Sequence, residues 1–157
     1  MKFITDRMLG KLAKELRMLG YDTLYYRGEK GDSLIKRARV EGRVILTRSA
    51  KLIPGGPEDR MIRIIEDKPS SQLRELIQAG TIHLHEEILF SRCLRCNAVI
   101  HQISRDDAEG EVPDFIFYQQ KEFFRCPQCS RIYWRGSHQD HMKKRIEELF
   151  GQSPASD

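Results

Sequence analysis

The chain has 157 residues, with 27 Lys and Arg against 23 Asp and Glu, five His and four Cys, for a formal net charge of +4. That length suits one domain, or one domain with a small stapled module, and apolar residues recur along nearly all of it, which excludes wholesale disorder. No run of about 18 apolar residues is present, and charges interrupt the opening stretch Met1 to Arg7, so neither a membrane span nor a signal peptide is expected and a soluble, cytoplasmic protein is. The basic excess is uneven: residues 1–51 carry 13 basic and 6 acidic side chains, residues 52–90 carry 4 and 7, and residues 91–157 carry 10 of each. A local positive field attracts a polyanion, with nucleic acid the commonest candidate and a solvated lysine and arginine face the plain alternative.

Lys2 to Thr5 reads as a buried strand ending at Asp6. Met8, Leu9, Leu12, Leu16 and Leu19 then recur at helical spacing, Arg7, Lys11, Lys14 and Arg17 take much of the other face, and Gly20 supplies the stop. Tyr21 to Tyr26 has the composition of a second strand, Asp32 can cap a helix running to Glu41 and Gly42, and Val44 to Thr47 forms a third, wholly apolar strand. Two prolines and two glycines make residues 53–59 a surface loop. Met61 to Ile65 is the fourth strand, and a helix from Ser70 or Ser71 through Leu73 and Ile77 stops at Gly80. This alternation predicts an α/β domain over residues 1–90 with a mainly parallel sheet and helices on both faces.

Beyond residue 90 the pattern changes to paired cysteines and short strand-like runs, Phe115 to Tyr118 and Phe123 to Phe124, followed by a helix from His138 to Phe150. Residues 91–150 are therefore expected to form a second module and residues 151–157 a disordered tail. Cys93-Leu94-Arg95-Cys96 and Cys126-Pro127-Gln128-Cys129 are two C-x-x-C turns, each able to aim two sulfurs at one ion. Together they complete a tetrahedral thiolate cage for Zn²⁺ in a zinc-ribbon arrangement. Four protein thiolates leave no open coordination position, so the ion is expected to be structural and to supply the folding free energy that so small a core lacks. Neither pair has the βαβ context of a redox motif.

In a parallel α/β sheet, ligands bind beyond the carboxyl ends of the strands. Asp6 follows strand one, Glu66 and Asp67 follow strand four, and Asp32 opens the helix feeding strand three. Such carboxylates would hold Mg²⁺ or Mn²⁺ through oxygen ligands for phosphodiester hydrolysis. Helix capping by Asp32 and a solvated turn at Glu66-Asp67 are the plain alternatives, whereas Asp6 has few evident structural duties. His83, His85, His138 and His141 are expected to be incidental or structural, and Trp134 to pack over the metal site rather than stack on a base.

The segments Asp6 to Asp22, Ile45-Leu46-Thr47-Arg48, Arg92-Cys93-Leu94-Arg95-Cys96-Asn97 and Tyr133-Trp134-Arg135-Gly136-Ser137-His138 occur in one order. In them the chain resembles the Mut-seven C-terminal RNase domain family, PIN-like nucleases with an appended zinc ribbon, over about residues 3–148. The resemblance implies a PIN-like α/β fold whose acidic residues hold divalent metal for RNA cleavage, with Asp6 the first acid of the site. The family's Leu-Thr-Arg-Asp motif reads Leu46-Thr47-Arg48-Ser49 here, and a serine is an uncharged, weak metal ligand. Two functions follow. One is a metal-dependent ribonuclease using Asp6, Asp32, Glu66 and Asp67. The other is a catalytically inactive nucleic-acid-binding protein of the same fold that contacts RNA phosphates through Arg7, Lys11, Lys14, Arg17, Arg48 and Lys51. A protein-interaction module built on the zinc ribbon is the third, plainer possibility.

Overall fold

The computed structural model describes residues 1–28 and 30–151. The chain divides into two compact units, Met1–Phe90 and a second beginning at Ser91. The first unit runs β1 (Lys2–Thr5), α1 (Gly10–Met18), β2 (Asp22–Tyr25), α2 (Gly31–Glu41), β3 (Val44–Thr47), β4 (Met61–Arg63) and α3 (Pro69–Gln78). Its strands pair in the order β2-β1-β3-β4, all parallel, with Ile4 beside Leu24 on one side and Ile45 on the other.

Strands buried on both faces read as continuous apolar runs, and β3 is buried at all four positions. Successive residues point to opposite faces of the sheet. Ile4 and Ile45 therefore meet Leu34, Ile35 and Ala38 of α2 on one face, and the alternation turns Phe3 and Leu46 to the other. Helix α1 packs against α3. It buries Leu12, Ala13 and Leu16 and leaves Lys11 and Lys14 exposed. Each fully buried leucine contributes about 1.5–3 kcal/mol, more than the intrinsic helix propensity of nine residues supplies.

Helices α1, α2 and α3 stop at Gly20, Gly42 and Gly80, whose φ angles are +89°, +64° and +68°. Only at Gly20 is the space also closed, because a Cβ there would lie 2.4 Å from the carbonyl oxygen of Ile88. Asp32 does not cap α2: it is the second residue of the helix, the N-cap position belongs to Lys30, and no side chain bonds that end. The chain enters the helix two residues earlier than the acid-before-apolar pattern suggests, which leaves the Asp32 carboxylate exposed in the first turn.

The second unit contains β5 (His101–Ile103), α4 (Arg105–Ala108), α5 (Asp114–Gln119), β6 (Phe123–Arg125), β7 (Ile132–Trp134) and α6 (Ser137–Gly151). Its strands form an antiparallel sheet in the order β5-β6-β7, with Phe123 opposite both Ile103 and Trp134. Ala108, Val112 and Phe123 are buried at its centre. Phe115 to Tyr118 are helical rather than strand-like. The Pro113 carbonyl accepts from the amides of Ile116 and Phe117, starting a turn that aims Ile116 and Phe117 inward and leaves Phe115 and Tyr118 exposed. Phe117 stacks on Phe123 at 6.2 Å, and the Arg105 guanidinium sits 4.4 Å from the Phe117 ring centroid on a two-carbonyl anchor, Phe117 O and Gln120 O. Gly151 closes α6 instead of beginning a tail, and the rest of that predicted tail, residues 152–157, lies outside the described residues. Among the described residues no helix is long and apolar enough to cross a membrane.

Candidate functional site

The chain leaves β1 toward β2 and returns to β3 on the other side of β1, so β1 and β3 flank a topological switch point, the usual ligand crevice of an open α/β sheet. Asp6 and Ser49 follow these two strands. A cleft of about 550 Å³ opens there, lined by Asp6, Asp32, Thr47 and Ser49 with the cations Arg7, Lys30 and Lys51 and an apolar wall that includes Met8, Tyr26, Leu52 and Ile53.

Asp6 has more structural duties than its place in the sequence suggests. Its Oδ1 accepts from the Met8 amide at 2.9 Å, capping the short turn Arg7–Leu9. Its Oδ2 accepts from Thr47 Oγ1 at 2.5 Å and from the Arg48 amide at 3.0 Å. Thr47 is fully buried and its Oγ1 also accepts from the Ser49 amide at 3.0 Å, so one hydroxyl links the ends of β1 and β3. These bonds fix the orientation of the Asp6 carboxylate, and a carboxylate carries about four lone-pair sites, so acceptor capacity remains toward the cleft.

The other predicted acids divide. Asp32 shares the cleft with Asp6, while Glu66 and Asp67 lie outside its lining. Asp67 is 86% exposed and pairs with Arg48 at 2.5 Å. The end of β4 is instead bound by α3: the Glu75 carboxylate accepts from the amides of Ile65 and Glu66, and Gln72 Nε2 donates to the carbonyls of Glu66 and Asp67.

The predicted basic face divides as well. Arg7, Lys11, Lys14 and Lys51 are exposed. Arg17 belongs to the core: it is 6% exposed and its Nε donates to the Thr23 carbonyl at 2.8 Å, where a phosphate cannot reach it. Arg48 reaches the Ile65 carbonyl in addition to Asp67. Lys30, absent from the basic set expected from helical spacing, lines the cleft because it precedes α2 in an extended conformation.

In the second unit the Sγ atoms of Cys93, Cys96, Cys126 and Cys129 lie within 4.8 Å of one another. Among the described residues this is the one group of three or more His, Cys, Asp or Glu side chains close enough to share an ion. Cys93 Sγ and Cys129 Sγ are 3.7 Å apart and all four cysteines are free. A disulfide would need about 2.05 Å, whereas four sulfurs at about 2.3 Å from a tetrahedral zinc lie about 3.8 Å apart.

The two turns share one backbone pattern. The Cys93 amide donates to Ala98 O and the Asn97 amide to Cys93 O, and likewise the Cys126 amide donates to Arg131 O and the Ser130 amide to Cys126 O. The residue after each second cysteine, Asn97 or Ser130, takes a left-handed φ of 68° or 61°. Burial pushes the Cys93 thiol up, but the Tyr133 hydroxyl and the Cys96 and Arg95 amides outweigh it and bring it down to about 7. Burial and its sulfur neighbours push Cys96 up to about 12. Trp134, expected over the metal site, packs on the apolar cluster around Phe123, and Tyr133 beside it, on the opposite face of β7, reaches Cys93 Sγ instead.

A family model described as Mut7-C RNAse domain matches residues 1–146. The chain belongs to the Mut7-C RNAse domain family. The match spans both units, so the Mut7-C region includes the switch-point cleft and the four-cysteine centre alike. No curated protein and no solved structure matched the chain. In this Mut7-C chain the cysteine cluster can hold a metal ion such as zinc, and spacing alone points to its four members. It does not point to Lys30 and Tyr26 in the cleft lining or to the Tyr133 hydroxyl beside Cys93, because their positions depend on where the chain folds back.

Proposed function

We propose that this Mut7-C chain is a metal-dependent ribonuclease of the PIN-like class, with the cleft between β1 and β3 as its active site and Zn²⁺ in the four-cysteine centre as a structural ion. The observation that carries the reading is the convergence of Asp6 and Asp32 with Arg7, Lys30 and Lys51 on one cleft in a chain of an RNase family.

Two carboxylates suit Mg²⁺ or Mn²⁺, which bind through one or two acidic residues and otherwise keep water or substrate phosphate as ligands. Asp6 and Asp32 would hold the ion, and Ser49 would offer a neutral hydroxyl beside them. When bound, such an ion lowers the pKa of its water and stabilises charge developing on phosphate oxygens. Arg7, Lys30 and Lys51 bind and orient the RNA backbone through its phosphates. Thr47 and the Arg48 amide hold the Asp6 carboxylate in place before substrate arrives. Glu66 and Asp67 take no part at the cleft in this reading.

Ser49 favours a second reading. It lines the cleft where the family pattern has an acid, and its Oγ accepts from the Lys51 amide at 3.3 Å. A cleft with two carboxylates in place of three binds metal more weakly, and RNA binding without cleavage is the result if that loss is decisive.

Labelled single-stranded and structured RNAs incubated with Mn²⁺ or Mg²⁺ test both, using the natural chain, Asp32→Asn and Ser49→Asp. Asp32→Asn is the informative knockout, because Asp6→Ala also removes three backbone and side-chain bonds. Cleavage lost in Asp32→Asn supports the nuclease. Binding without cleavage, with activity gained in Ser49→Asp, supports the second reading. No RNA binding at low salt would sink both.

A further inference from the structure

The hydroxyl of Tyr133 lies 3.0 Å from Cys93 Sγ and accepts from the Leu94 amide at 3.1 Å. Both partners belong to the first C-x-x-C turn, whereas Tyr133 sits on β7, the strand that leaves the second turn. One side chain thus spans the two halves of the cysteine centre. The direction of the sulfur bond follows from the chemistry. With the Leu94 N–H pointing at the phenolic oxygen, the phenol's own proton is free for Cys93, and a metal-bound sulfur is a thiolate that can only accept.

We propose that Tyr133 is a positioning residue of the metal centre, donating a hydrogen bond to the Cys93 thiolate while its oxygen holds the backbone of the same turn, and so setting how tightly the centre keeps its ion. The inference rests on the reading that the four cysteines bind zinc.

Cys93 thus adds a hydroxyl from outside its own turn to amide donors such as that of Cys96 at 3.3 Å. Donors of both kinds withdraw charge from the sulfur, which stabilises the thiolate and shortens the list of acids able to reprotonate it. They also fix the direction in which that sulfur presents its remaining lone pairs. Partners of this outer kind are worth about 10–100-fold in metal affinity at other protein metal sites.

The test uses the full chain loaded with Zn²⁺ or Co²⁺ and compares Tyr133→Phe with Trp134→Phe. The first removes only the hydroxyl. The second trims a ring of the neighbouring apolar cluster and controls for general loosening of β7. Competition against a chromophoric chelator gives zinc affinity, and the sulfur-to-cobalt charge-transfer band reports electron density on the thiolates. Expected for Tyr133→Phe is an affinity loss of about 10–100-fold with the band moved to lower energy, and for Trp134→Phe an unmoved band. Affinity within about twofold of the natural chain and an unmoved band in Tyr133→Phe overturn the inference while leaving the zinc reading intact. A natural chain that takes up neither ion overturns the zinc reading and the inference with it.

Discussion

Thr47 Oγ1 donates to Asp6 Oδ2 at 2.5 Å, so the last residue of β3 holds the first carboxylate beyond β1. Hydrogen bonds to charged groups contribute about 1.5–3 kcal/mol. Thr47→Val keeps the shape and removes the donor, and urea unfolding should show a loss of about that size. Thr47→Ser, which keeps the hydroxyl, should recover most of it.

If the cleft is the catalytic centre, Asp32 and Asp67 must behave differently. Asp32→Asn should lower Mn²⁺-dependent cleavage by about 100-fold or more, since charge stabilisation by a bound ion is worth several kcal/mol. Asp67→Asn breaks only an exposed pair with Arg48 and should leave cleavage within about twofold. The reverse ranking would move the site to the end of β4.

Lys30 and Lys51 should each carry a phosphate contact. In RNA titrations across a salt series, Lys30→Ala and Lys51→Ala are each expected to reduce the slope of log affinity against log salt by about 0.7. Arg17→Lys should leave that slope unchanged, because the guanidinium is buried against the Thr23 carbonyl.

Two helix-terminating glycines separate conformational from steric cost. Nothing lies within 4 Å of a Cβ built at Gly42, so Gly42→Ala should cost only the left-handed backbone penalty of about 1–2 kcal/mol. At Gly20 the Ile88 carbonyl also stands in the way, and Gly20→Ala should cost clearly more in the same denaturation experiment.

Asp59 gives stability a pH dependence. Its carboxylate, with a side chain only 1% exposed, takes both arms of Arg39 and the Gly55 amide, pinning the loop before β4. The Arg39 guanidinium, against the opposing effect of burial, holds its pKa below the ordinary carboxylate value. A depressed folded-state pKa contributes stability that is present above the ordinary carboxylate range and is lost as pH falls through the depressed value. Asp59→Asn should therefore melt lower than the natural chain at neutral pH, and the gap should close in acid. A gap that persists at low pH would show that the charge is not its source.

Short-range patterns carried much of this fold in the sequence. Apolar runs such as Val44 to Thr47 mark the strands, Gly20, Gly42 and Gly80 mark the helix ends, and cysteine spacing marks the four-sulfur cluster. The same signals misread Phe115 to Tyr118, where a dense aromatic run resembles a strand until Pro113 starts a turn and Phe117 finds Phe123. Arg17 sits at a helical position that spacing assigns to the basic face, yet the Thr23 carbonyl draws it inward. The Tyr133 contact joins residues 40 apart and leaves no local trace.

The strand order has a further consequence. Because β1 sends the chain to one side and β3 lies on the other, the cleft is a product of chain path, not of any particular side chain at its rim. A serine at position 49 therefore leaves the furrow and its cations in place. If the furrow is a nuclease site, grip and cutting are separable in it, and the first can outlast the second.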